Sequence, residues 1–243
     1  MYRKICSLMI LFILGFANFG FANNNYQLKT GETLEYKVIV KSMIYGADQV
    51  IKVVGRENYK NHEVWRIRYN MYSVGLAKKM TNYSESEDLL LDVKGFFPWY
   101  IKKESQDKDD QEKEELFFDY DNATATRISS KNGSPEQQET ISLPGYIQDG
   151  LSLQFYLRNS KLKPGINKLN FYSSGHIKEV NYQVSEVKES IKLNSGTYSK
   201  SYKIENEEIA ITIIISDDDQ RFPLIIRKDA KFGKVEARLE KVY

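Results

Sequence analysis

Two histidines, His62 and His176, are the side chains best suited to proton transfer near neutral pH in this 243-residue chain. Each stands beside turn-forming residues, Lys60-Asn61 and Ser174-Gly175, which fits exposed imidazoles at loop edges. A Ser-His-Asp arrangement is spatial rather than sequential, so spacing alone does not dismiss it. No Gly-x-Ser-x-Gly elbow accompanies the histidines, because Gly150-Leu151-Ser152-Leu153-Gln154 lacks the second glycine. Carboxylates gather at Asp109-Asp110, at Glu205 with Glu207-Glu208, and at Asp217-Asp218-Asp219. Glycoside cleavage needs two of them facing each other about 5 to 10 Å apart across a cleft, and nothing in the sequence puts any of these in one. Asp217-Asp218-Asp219 also lacks the order of a calcium loop and reads as a turn. The one cysteine, Cys6, precedes the mature chain, and two distant histidines without thiolates make a poor zinc set. No Gly-rich phosphate loop is present. These residues therefore point to no catalytic site, no cofactor and no metal.

The aromatic content gives the one positive chemical suggestion. The chain has 17 Tyr and 12 Phe, with a compact cluster at Phe96-Phe97-Pro98-Trp99-Tyr100. Core packing explains most of them. The remainder suggests an apolar cavity or groove for a lipid-like or glycan-like ligand, in a barrel mouth or interior. Phe97, Trp99, Phe155 and Tyr156 are its expected lining.

The elements that would hold such a surface are strands. Apolar residues alternate with period two in Leu34-Tyr36-Val38-Val40 and again in Trp65-Ile67-Tyr69-Met71. Similar runs recur to Val242, separated by turns such as Asn132-Gly133-Ser134-Pro135 and Asn194-Ser195-Gly196. The pattern predicts an all-β fold: a single antiparallel open or spiral β-barrel of about 12 strands. One segment, 149–158, breaks the period. Asp149 can cap its start, Lys163-Pro164-Gly165 ends it, and its apolar residues cover most of its circumference. It predicts one short inserted helix, buried as a plug. Lys103 to Glu115 holds almost no apolar residue and reads as a long hairpin loop with mobile strand ends. Ser129 to Leu143 is the second candidate for disorder.

The amino end sets the compartment. Arg3 and Lys4, an apolar run from Ile5 to Phe16, and Gly20 and Ala22 before Asn23 make a secretory signal peptide over residues 1–22. Cleavage near Ala22-Asn23 would leave 23–243 as one barrel-like domain in the periplasm. The apolar run is too short to span a bilayer comfortably, so no transmembrane segment is expected after cleavage. Without Arg3 and Lys4 the basic residues equal the 33 acidic ones. A nucleic-acid partner, which would call for a basic surplus, is therefore not expected.

Ordered landmarks along the chain resemble the secreted domain-of-unknown-function family numbered 3108. Gly31-Glu32-Thr33-Leu34-Glu35-Tyr36 is similar to its opening Gly-Glu-x-Leu-x-Tyr. Phe117-Phe118-Asp119 matches a mid-chain landmark. Asp149 to Arg158 resembles Asp-x-Leu-Ser-x-x-Tyr-x-Leu-Arg, and Ser216 to Leu224 resembles the closing Leu-Ser-x-Asp-x-x-Arg-x-Pro-Val. The chain departs where a tryptophan often precedes the closing serine, since Ile213-Ile214-Ile215 stands there. The resemblance implies a periplasmic, curled or spiral barrel with no known catalytic residues. Asp119, Asp149, Arg158, Asp217, Arg221 and Pro223 are the structural landmarks. An ion pair of Asp149 or Asp119 with Arg158 or Arg221 is expected to fix the helix against the barrel.

The functional expectation is a non-enzymatic envelope protein that binds a lipid, a peptidoglycan fragment or an envelope protein. The alternatives are a secreted hydrolase of envelope glycans or esters and a purely structural envelope-integrity protein.

Overall fold

The computed structural model describes residues 27–40, 44–230 and 233–243. The signal segment and its cleavage point fall outside them. The alternating runs form strands β1 (Thr33–Val40), β2 (Ile44–Tyr59) and β3 (His62–Ser73), followed by helix α1 (Gly75–Thr81). Next come β4 (Ser84–Asp92), β5 (Pro98–Asp107), β6 (Asp110–Asp119), β7 (Thr124–Lys131), β8 (Gln137–Ser142) and β9 (Ile147–Gln148). Helix α2 (Ser152–Asn159) precedes β10 (Gly165–Ser173), β11 (His176–Val187), β12 (Ile191–Leu193) and β13 (Gly196–Tyr198). The chain ends with β14 (Ser201–Asn206), β15 (Ile211–Ser216), β16 (Pro223–Ala230) and β17 (Gly233–Val242).

Fifteen strands form one sheet in the order β8-β7-β6-β5-β4-β3-β2-β1-β17-β16-β15-β14-β11-β10-β9, and β12 and β13 form a separate hairpin. The sheet is a meander folded back on itself. Its first and last strands, β1 and β17, meet in the middle through pairs such as Tyr36 with Leu239 and Val38 with Ala237. β8 and β9 are its two edges, joined by the short link 143–146. The all-β, barrel-like expectation holds. Two details differ: the strands outnumber the expected dozen, and the hydrogen-bonded sheet does not close. β9 also pairs in parallel with β10.

The curled sheet has two apolar clusters on its inner side. Ile51, Ile67, Leu89, Ile101, Leu116 and Leu239 belong to the first. Val180, Val184, Ile204, Ile213 and Ile215 belong to the second. Helix α2 divides its side chains between them: Leu151 and Phe155 join the first cluster, Leu153 and Leu157 the second. A helix apolar over most of its circumference is usually enclosed, and this one is, as its sequence predicts. Each such side chain contributes about 1.5–3 kcal/mol by leaving water.

The polar stretch 103–115 is strand, not loop. β5 and β6 pair to the two-residue turn at Lys108-Asp109, with Lys103 opposite Glu114 and Glu104 opposite Lys113. Opposite charges on facing positions support a ribbon without burial. Likewise 129–143 holds the end of β7 and all of β8. Helix α1 is a second helix that the apolar pattern does not reveal, because it buries none of its residues.

Alternating strand directions give the sheet two ends. β1, β3, β5, β7, β10, β14 and β16 run toward one end, here the upper. The loops at 60–61, 119–124 and 217–222 lie at the lower end.

A charge lock holds α2 at the lower end. Arg158 is fully buried. Its Nη1 and Nη2 donate to Glu32 Oε1 at 2.6 Å and Oε2 at 3.0 Å, and Nη2 also donates to Gln220 O at 3.1 Å. Its guanidinium lies 5.3 Å from the Phe222 ring centre. The cation sits at the carboxyl end of α2, where the helix dipole favours it. The expected ion pair therefore exists with a different partner. Asp119 is not part of it: exposed, it accepts from the Asn122 backbone and side-chain N–H groups in a turn. Asp149 pairs elsewhere, and Arg221 donates to Ser160 O rather than to an acid.

The 216–223 loop is built to present this lock. Asp218 Oδ1 accepts from Ser216 Oγ and from the backbone N–H groups of Gln220 and Arg221. Arg221 takes the left-handed conformation at φ 49°. Pro223 O accepts from the buried Tyr36 hydroxyl at 2.9 Å, which ties β16 to β1. Asp217 donates its N–H to Lys200 O.

Arg158→Met strands the Glu32 carboxylate among apolar groups. Urea unfolding is expected to give a loss of about 3–5 kcal/mol. Adding Glu32→Gln should recover part of it. Two strictly additive losses would reject the coupling.

Candidate functional site

The expected ligand surface and the actual hollow of the molecule are in different places. Phe97 and Trp99 form a third apolar cluster with Val64 and Leu90. Trp99 stacks on His62 with ring centres 3.7 Å apart, and Phe97 stacks on Tyr146 at 4.0 Å. Phe155 is buried in the first inner cluster, and Tyr156 packs partly buried between the two. None of these four residues lines the cavities described next.

Above α2 the interior is not filled. A cavity of about 230 Å³ is walled by the upper halves of β1 to β4 and β15 to β17. Val38, Tyr69, Met71, Ile213, Ile226 and Ala237 supply apolar walls, and the start of α2 supplies the floor through Leu151, Leu153 and Gln154. A second, polar cleft of about 520 Å³ adjoins it along the open seam, between β5–β7 on one side and β10 on the other. The two share Gly150, Ile211 and Lys228 as lining. Lys113, Arg127, Lys131, Ser129 and Tyr172 line the polar part. Across the seam the Tyr172 hydroxyl donates to Glu114 Oε1 at 2.8 Å. Arg127 Nε also donates to that oxygen, at 2.6 Å.

Where the two spaces meet, three charged side chains converge. Asp149, fully buried at the approach to α2, accepts from Lys103 Nζ at 2.7 Å and from the Ser152 N–H at 2.9 Å. Ser152 Oγ accepts the Asp149 N–H in return, at 2.8 Å. This reciprocal pair closes the first turn of α2. Glu87, on β4, lies 3.2 Å from the same Lys103 Nζ. Burial pushes Asp149 up, but the Lys103 ammonium and the hydrogen bonds from Lys103 and Ser152 outweigh it and hold the group at about 2. Burial, followed by repulsion from Asp149, pushes Glu87 well above the usual carboxylate range against the pull of Lys103. Glu87 therefore holds its proton more tightly than an exposed carboxyl does, beside an Asp149 that gives its proton up more readily.

Two buried amides face the hollow. Gln154 is 7% exposed; its Nε2 donates to Gly150 O, and its Oε1 meets no donor. Gln49 is also buried and lines the same wall. An unsatisfied buried acceptor costs free energy unless something fills its lone pairs.

The titratable residues singled out by sequence do not assemble. His62 stands at the lower end after the β2–β3 turn, and His176 at the upper end after the β10–β11 turn. Asp109-Asp110 and Glu205 to Glu208 fall at upper hairpins, and Asp217 to Asp219 at the lower loop. Among the described residues no cluster of three His, Cys, Asp or Glu could hold a metal, and no helix is long and apolar enough to cross a membrane. Sequence reasoning missed Glu32, Glu87 and Lys103. Glu32 lay inside the opening motif, while nothing distinguished the other two from surface charges.

A family model described as a protein of unknown function, DUF3108, matches residues 17–240. No curated protein matches the chain. Among solved structures, the chain is similar to a β-barrel-like protein of domain of unknown function DUF1849 from Brucella abortus. The two are 9% identical over 88% of this chain and 97% of that one, with a TM-score of 0.52. A Bacteroides fragilis protein of YmcC-like fold is 8% identical over 90% of this chain and 98% of that one, with a TM-score of 0.33. The first of these likenesses extends to fold alone.

The buried triad predicts a pH signature. Glu87 has a folded value above its ordinary 4.5, so its contribution to stability is complete below 4.5 and falls as pH rises. Asp149 behaves oppositely, losing its contribution between 3.8 and about 2. Glu87→Gln keeps an N–H for Asp149 without titrating. Urea midpoints should find this variant gaining on the wild type as pH rises from about 4 to about 8. A gap that stays constant across that range would mean that Glu87 titrates in the folded protein as it does in the unfolded one.

Proposed function

The chain belongs to the DUF3108 family, and from that premise we propose that it is an exported, non-enzymatic envelope protein that holds a lipid-like amphiphile in its upper cavity. One observation carries the reading. The interior above α2 is hollow, apolar on most walls, and continuous with a polar cleft along the seam. An amphiphile fits this division: its chain against Met71, Ile226 and Ala237, its polar head among Lys113, Arg127 and Ser129. The combined space falls within the range of about 300–1,000 Å³ that ligand pockets occupy. The unpaired Gln154 Oε1 would accept a hydroxyl or amine hydrogen from a ligand that reaches the floor.

Export is supported by the charged start, short apolar run and small residues ahead of Asn23. A binding role is supported by how the charged pair beside the hollow is used. Lys103 and Asp149 are spent on anchoring α2, and neither histidine lies near them in the chain's layout. Binding here needs no bond to be made or broken.

Native mass spectrometry of the protein released from its own periplasm should find a bound small amphiphile. The emptied protein should brighten N-phenyl-1-naphthylamine, an apolar dye, on binding it. Ala237→Phe projects a ring into the cavity and should abolish the dye signal while leaving a cooperative melt. Bare protein in the spectrometer, together with no dye response, would rule the reading out in favour of a purely structural envelope protein.

A further inference from the structure

We propose that the upper rim around α1 is a membrane-contact surface that seats the protein on anionic lipid headgroups. The helix is unusual in what it does not bury. It spans seven residues, none of them buried. Leu76 and Met80, four positions apart and so on one face, are 64% and 63% exposed. A helix this short has no stability of its own. It is held by its flanks: the Val74 N–H donates to Gly46 O at 2.9 Å, and the Ser73 N–H to Tyr83 O at 2.8 Å. Ala77 lies over Gly46, where an added Cβ would stand 3.8 Å from the alanine methyl. The scaffold thus fixes the small residue inward and both large apolar residues outward.

The patch extends beyond the helix. Ile44, Tyr45 and Tyr72, on the strands that α1 packs against, are 46%, 43% and 49% exposed. Eight large hydrophobic residues are exposed among the described ones, and five of them are at this rim. The other three, Tyr146, Ile166 and Tyr243, fall at the lower end. Scattered apolar residues need no explanation, but a cluster does.

Charge selects the occupant. Lys78 and Lys79 stand in the last turn of α1, beside Leu76 and Met80. Of the acids at this rim, Asp48 accepts from the Tyr45 hydroxyl and Glu85 from the Tyr83 hydroxyl, and the β5–β6 turn with Asp107, Asp109 and Asp110 meets the end of α1 through the Lys108 N–H and Thr81 O. Leucine and methionine pointing outward, tyrosines beside them and lysines at their flank are the composition that interfacial segments present to anionic bilayers. The place agrees. The inner faces of β1 and β3 at this rim, Val38 and Met71, line the cavity, so contact here brings the hollow's mouth against the lipid surface. The inference does not require an occupied cavity, and either reading can fail alone.

The test is co-sedimentation of the mature chain with phosphatidylcholine vesicles, with and without phosphatidylglycerol. Binding is expected only with phosphatidylglycerol and should weaken at high salt. Leu76→Glu with Met80→Glu, both at exposed positions, should lower the apparent affinity by about tenfold or more, with an unchanged melt. Lys78→Glu with Lys79→Glu should also lower it by about tenfold. Three outcomes would overturn the inference: no sedimentation of the wild type, equal sedimentation of the Leu76/Met80 variant, or a wild-type dimer that this variant converts to a monomer. The last would assign the rim to a second copy of the chain.

Discussion

The salt bridge between Arg158 and Glu32 is the constraint on which the rest of this structure rests. The sheet is one continuous meander with free edges, and pairing alone does not say how tightly it should curl. Helix α2 supplies the mandrel. An apolar helix inside an apolar wall could turn or slide with little penalty, because dispersion and burial are not directional. A bidentate guanidinium–carboxylate contact is directional. It ties the carboxyl end of α2 to the residue just ahead of β1, across 126 positions of sequence. Gln220 O and Phe222 add the β15–β16 loop to the same knot. Three distant parts of the chain are registered at one buried point.

The amino end of α2 is held by a charge as well. Asp149 binds Lys103 from β5, and Glu87 from β4 lies beside the same ammonium. The two clamps have opposite signs at opposite ends, an anion before the first turn and a cation in the last. Both are the signs the helix dipole prefers. Replacing either by apolar residues could leave stability intact, since buried ion pairs often gain little net free energy. Their contribution is to fix one position and one rotation of the plug, which apolar contacts could not.

How much of this the sequence revealed follows from the range of each interaction. Period-two alternation is local, so β1, β3 and β15 were legible in their own residues. The plug was legible because 149–158 breaks that period. The β5–β6 ribbon was not, because its paired residues are charged on both faces and its support comes from cross-strand neighbours. Helix α1 was hidden because it turns its apolar residues outward and so mimics a loop. The landmark motifs singled out Arg158, yet its partner was misplaced. Asp149 was the more conspicuous acid, whereas Glu32 is near in space only after the chain has folded. The aromatic content suggested a cavity but not its lining, since the walls of the hollow are ordinary core residues.

The hollow follows from a mismatch of lengths. Strands rise about 3.3 Å per residue and helices about 1.5 Å. Helix α2 has eight residues, so it is about 12 Å long. β3 and β11 have twelve residues each and reach about 40 Å along the strand. Even with strong tilt, the helix fills only part of the tube that such strands enclose. The lower clamp fixes where that filled part begins, and the first turn at Asp149 fixes where it stops. Side chains large enough to fill the remainder would have to come from the upper strands, and there Tyr69 is joined by shorter inward residues such as Val38, Val235 and Ala237. These are too short to meet across the interior. A longer helix or bulkier residues at those positions would close the space, so the lock at one end of the molecule and the small side chains at the other jointly produce the site.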